Sequence, residues 1–141
     1  WAAFRSAIVR FMTANAASLP SDVRAMIRPE VWDQMDSLLA ASTAPMWEWD
    51  RLVKALGAGN ITMTTNGLPA PAGTPLASSA LLTTTAGGVA PIFIGAWGAV
   101  DVIRDVFSDA QSGGLRITAL ATMDVTVARP AQLELLTGLE L

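Results

Sequence analysis

Three aspartates at a spacing of four, Asp101, Asp105 and Asp109, are the nearest thing in this chain to a reactive constellation. On a helix they would share a face and could hold a cation. Their neighbours Val100, Val102, Ile103 and Val106 are β-branched and favour a strand instead. On a strand Asp101 and Asp105 share a face but stand roughly 13 Å apart, too far for one ion. Asp109 falls in the turn that follows, so the three read as solvated charges. The chain has no His, Tyr or Cys. That removes the commonest acid–base and nucleophile–base pairs and in practice a structural zinc site. Carboxylates, arginines, Ser, Thr and the single lysine Lys54 remain. Lys54 could in principle form an isopeptide bond with an Asn of a neighbouring chain, but the sequence shows no acid to assist it. The glycines at 57 and 59, 87 and 88, and 95 and 98 match neither a P-loop nor a dinucleotide fingerprint. Trp47 and Trp49, flanking Glu48, could form a ligand platform; packing in a core or interface suits their apolar area better. No residue is assigned a catalytic, cofactor-binding or metal role, and no cofactor is expected.

The elements around these residues are more informative. From Leu115 to Val127 the odd positions are Leu, Ile, Ala, Ala, Met, Val and Val, while the even positions are mostly polar. This unbroken period of two predicts a strand of roughly 45 Å at ~3.3 Å per residue, far longer than the usual five or six residues. Pro130 stops it. The turn formers Asp109, Ser112, Gly113 and Gly114 join it to a strand over Val100–Val106 as an antiparallel hairpin. Upstream, residues 1–18 read as a helix with Trp1, Phe4, Ile8 and Phe11 near one face. It ends at Leu19-Pro20. Val23–Ile27 is a short strand. Pro29 opens a second helix with a stripe of Val31, Trp32, Met35, Leu38 and Leu39. Met46–Leu56 forms a third, ending at Gly57. Residues 55–100 carry no charge, yet Ile61, Leu81, Leu82, Ile92, Phe93, Ile94 and Trp97 imply ordered structure, with Val89–Trp97 a buried strand or strand pair. Leu133–Leu139 is a last short strand. The class is α+β, a mixed sheet with flanking helices and a long hairpin.

Composition narrows the function classes. Over 141 residues, 52% are hydrophobic and only 15% charged, with a mean hydropathy of +0.43. So little charge covers a small domain poorly, which points to burial against other chains. The net charge is −3, and the basic residues are scattered, so no specific nucleic-acid site is expected. Val89–Val100 is the best apolar run; it is interrupted by Pro91, Gly95 and Gly98 and too short to span a bilayer. A chain beginning at Trp1 is expected to be a fragment or a processed product.

The stretch Gly95–Pro130 resembles the C-terminal part of tailed-phage major capsid proteins of the Hong Kong 97 type. A "W-G-x-x-D-V" element appears as Trp97, Gly98, Asp101 and Val102, followed by a turn with Ser112 and Gly113. A long strand then carries Arg116, Ala119, Asp124, Val125 and Val127, closing on Arg129 and Pro130. Ile27 to Trp32 is similar to that family's Asn-Pro-x-x-Trp helix start, with Arg28 in place of Asn; Gly67-Leu68-Pro69 is similar to its G-x-P approach to a strand. The resemblance implies one C-terminal unit of a shell subunit, residues 1–20 and 115–141 peripheral-domain-like and 21–114 axial-domain-like. It also implies a virion protein, present in the host cytoplasm during assembly, whose partners are copies of itself in pentamers and hexamers and, in assembly, portal or scaffold proteins. An encapsulin-like compartment shell shares that fold and is the second reading. A small-molecule-binding or hydrolytic domain using carboxylates and Ser/Thr is the third. On the shell reading, Leu115, Ile117, Met123, Val125 and Val127 are expected to pack on the helix at residues 1–18, leaving Arg116 and Asp124 toward solvent or a neighbouring subunit.

Overall fold

A computed structural model describes residues 1–41 and 44–141 and is α+β. The chain forms two compact units, residues 1–91 with 129–141, and residues 92–128.

In the first unit a four-stranded sheet runs in the order β4-β1-β5-β8, with β1 at Val23–Ile27, β4 at Ile61–Met63, β5 at Ala77–Thr84 and β8 at Leu133–Glu140. β1 pairs parallel with β4 and antiparallel with β5; β5 pairs antiparallel with β8. β2 (Leu39–Ala41) and β3 (Ala44–Trp47) pair antiparallel, and β3 leads into the third helix. Three helices supply the apolar layer: α1 (Ala2–Thr13), α2 (Pro29–Ser37) and α3 (Glu48–Leu56). Phe4, Ala7, Ile8 and Phe11 recur at helical spacing along α1 and are buried. They join Val23, Ala25, Ile27, Val31, Met35, Leu52, Leu56 and Leu82 in one core.

α1 ends earlier than residue 18. Asn15 adopts the left-handed conformation at φ 54°, and its N–H reaches the Met12 carbonyl while the Ala16 N–H reaches that of Phe11. That pair of bonds is a Schellman stop, and Asn tolerates the left-handed position better than most residues. α3 begins at Glu48 rather than Met46, because Met46 belongs to β3. In the α2 stripe Val31 and Met35 are buried, whereas Leu38 and Leu39 lie past the end of the helix and are exposed.

The second unit is a two-stranded antiparallel ribbon. β6 (Ile92–Asp105) pairs with β7 (Arg116–Val127) from Ile92↔Val127 to Asp105↔Arg116. Residues 92–97 and 100–105 of the two expected segments thus belong to one strand, not two, and Ile92, Phe93, Ile94 and Trp97 are exposed rather than buried. Between the pairs Trp97↔Thr122 and Asp101↔Leu120 the register shifts, with Gly98, Ala99 and Val100 opposite Ala121. Gly98 turns the chain at φ 76°, a region that glycine enters without a Cβ clash.

Candidate functional site

The ribbon is the feature of the described chain that most needs explanation. Its bulge contains two extra residues, an even number. Side chains alternate faces along a strand, so the halves of β6 before and after the bulge keep the same facing. Ile94 pairs with Val125, and Val102 pairs with Ala119, all on one face with Ile117, Met123 and Val127. Six of these side chains — Ile94, Val102, Ile117, Met123, Val125 and Val127 — are more than half exposed, Ile94 reaching 72%. The opposite face carries Asp101, Asp105, Arg116 and Asp124 among threonines, with Phe93, Trp97, Ile103 and Leu120 between them.

The odd-numbered face of β7, with Leu115 just ahead of the strand, is the one that was expected to pack on the helix at residues 1–18. Leu115, Ile117, Met123, Val125 and Val127 are all exposed, while α1 buries its own apolar face in the core of the sheet. The alternation was a sound guide to the strand. It says which side chains share a face, not what covers them.

The loop joining β6 and β7 is held from within. The Asp105 carboxylate accepts the Ser108 hydroxyl and the N–H groups of Phe107 (2.8 Å) and Ser108 (3.1 Å). The Ser108 hydroxyl, followed by these two amides, holds the Asp105 pKa below its usual range. The Asp109 carbonyl accepts the N–H groups of Ser112 and Gly114, and Gly113 occupies the left-handed region at φ 69°. Phe107 projects from this ordered loop 86% exposed. Asp101 and Asp105 share a strand face and Asp109 sits in the turn, as the spacing implied. No group of three or more acidic, His or Cys side chains that could hold a metal occurs among the described residues.

The other candidate residues are dispersed. Lys54 is exposed in the last turn of α3. Trp47 and Trp49 do not act as a pair: Trp49 packs with Trp1 and Trp32 against the core, while Trp47 is exposed. Trp97 lies over Gly95, where an added Cβ would meet the indole at 3.0 Å. A cavity of about 390 Å³ is lined by Ser18, Ser21, Asp22, Arg24, Asn60, Thr85 and Gly87. Its single carboxylate, Asp22, is occupied in accepting the N–H groups of Ser18 and Leu19. That cavity offers no pair of acids for hydrolysis.

The role of Arg28 went unread in the spacing of the motifs. It is 8% exposed. Its guanidinium forks onto Glu30 at 3.0 and 3.1 Å and donates to the carbonyls of Thr65 (2.6 Å) and Leu68 (3.0 Å). Arg28 thus ties the loop after β4 to the start of α2. The charge-assisted bond from Arg28 holds the Glu30 carboxyl below its ordinary pKa, with its own backbone bond assisting. The Arg-Pro-Glu triplet was the available signal.

No protein-family model matches this chain, and no curated protein matches it either.

Proposed function

We propose that this chain is part of a structural subunit of a viral head shell with a Hong Kong 97-like fold, acting by association of copies rather than by catalysis. The observation that carries this reading is the ribbon. A two-stranded sheet of this length is marginal alone, and one of its faces leaves six aliphatic side chains more than half exposed, a contiguous apolar surface of the kind that marks an interaction site. Burial against further protein is the physical remedy, and closed symmetry lets many copies use the same contacts. The W-G-x-x-D-V element supports the reading in a specific way. Its glycine and its two-residue spacing coincide with the bulge that keeps the apolar face continuous. The scarcity of charge fits the same use. In this role the protein resides in the virion.

The test is electron microscopy of the complete gene product expressed by itself. Shells, or rings of five or six subunits, are expected. Discrete monomers at high protein concentration would overturn the proposal.

A further inference from the structure

We infer that Asn66-Gly67 is a site of spontaneous asparagine deamidation, and that the Thr64 hydroxyl holds it in check by occupying the nitrogen that would react. The inference goes beyond the shell reading and does not depend on it.

The dipeptide lies in the exposed loop that follows β4. In deamidation the backbone nitrogen of the next residue gives up its proton to solvent and attacks the side-chain carbonyl carbon of asparagine. A ring C–N bond forms. The carboxamide C–N bond breaks, and its nitrogen takes a proton from solvent and leaves as ammonia. Water then opens the cyclic imide at either carbonyl, giving aspartate or isoaspartate. Glycine favours the step because no side chain shields its nitrogen or narrows its backbone freedom. Asn66 is exposed, and no hydrogen bond restrains its carboxamide among the described residues.

Packing explains why glycine follows it. A Cβ at residue 67 would lie 3.1 Å from both Met26 Sδ and Thr64 Cγ2, so the loop retains the reactive pair. Thr64 acts against the reaction. Its N–H donates to the Ile27 carbonyl at 2.9 Å, continuing the β1–β4 pairing, so the sheet fixes where its hydroxyl stands. That oxygen accepts the N–H of Gly67 at 3.1 Å and that of Asn66 at 3.3 Å. The Gly67 proton must leave before attack, and a hydrogen bond donated by the neutral amide favours keeping it. Arg28 restrains the backbone on either side, through the Thr65 carbonyl before the pair and the Leu68 carbonyl after it. Isoaspartate would lengthen the backbone between those two carbonyls and work against that hold. The other two asparagines are placed differently. Asn15 precedes Ala16, whose N–H is bonded to the Phe11 carbonyl. Asn60 precedes the β-branched Ile61, and its side-chain nitrogen donates to the carbonyls of Ser21 and Leu56 at 2.7 Å each.

The test incubates the chain in mildly alkaline buffer, folded and in urea, and follows each asparagine by peptide mass mapping. Asn66 should convert in urea, and at least about fivefold more slowly in the folded chain, the factor that one hydrogen bond of ordinary strength is worth. Thr64→Val keeps the shape and loses the acceptor; it should raise the folded rate about fivefold and leave the urea rate unchanged. Thr64→Ser keeps the oxygen and should stay within about twofold of wild type. Far-UV circular dichroism checks that each variant is folded, and the comparison of folded with unfolded wild type needs no variant. Equal rates for folded and unfolded wild type would overturn the inference. So would a folded Thr64→Val chain that reacts no faster, an acceleration equally large in urea, or conversion of Asn15 or Asn60 ahead of Asn66. Whether the protein builds a shell changes none of these outcomes.

Discussion

Two side chains do work at the residue scale that composition alone does not reveal. Arg28 is buried and satisfies two backbone carbonyls. Arg28→Ala should therefore cost about 2–3 kcal/mol, the price of stranding buried acceptors that a charged donor had satisfied. Arg28→Lys should recover part of this, since an ammonium cannot fork onto Glu30 and reach both carbonyls. Urea unfolding measures both; a loss below ~0.5 kcal/mol for the alanine variant would contradict the staple. Asp105 carries the second prediction. Its pKa is lowered in the folded loop, so its contribution is complete above the ordinary value of 3.8 and lost as pH falls through the lower folded value. The carboxyl carbon, followed by NMR, should titrate below 3.8 together with the amide shifts of Phe107 and Ser108. Titration at or above that value would show that the loop is not held this way.

The elements divide into those whose pattern is written locally and those that depend on distant contacts. β1 matches its expected bounds at Val23–Ile27, β7 lies within the alternating stretch, and β8 runs Leu133–Glu140, one residue past the expected end. Each has apolar residues on one side or a proline or glycine at its boundary. β5 was not legible, because Ala77–Thr84 is made of small residues and leucines buried on both faces, which erases the period of two. β6 was read as separate pieces because Gly98 looks like a break. The apolar face of the ribbon was half legible: alternation assigned the face, while what covers it depends on contacts that no spacing encodes. The bulge offers a test. Deleting Gly98 and Ala99 together should keep the ribbon, because the facing of Ile92–Trp97 is preserved. Deleting Ala99 alone reverses that facing and should lower the melting temperature much further. Equal effects would contradict the register described.

At the scale of the whole molecule the first unit has a closed core, whereas the ribbon leaves its largest apolar side chains in solvent. The central claim is that other copies complete it. Hydrogen exchange read by mass spectrometry across a protein concentration series tests this most directly. Residues 92–105 and 116–127 should gain protection as concentration rises, while 23–27 and 77–84 stay constant. Ribbon exchange that does not change with concentration would contradict the account.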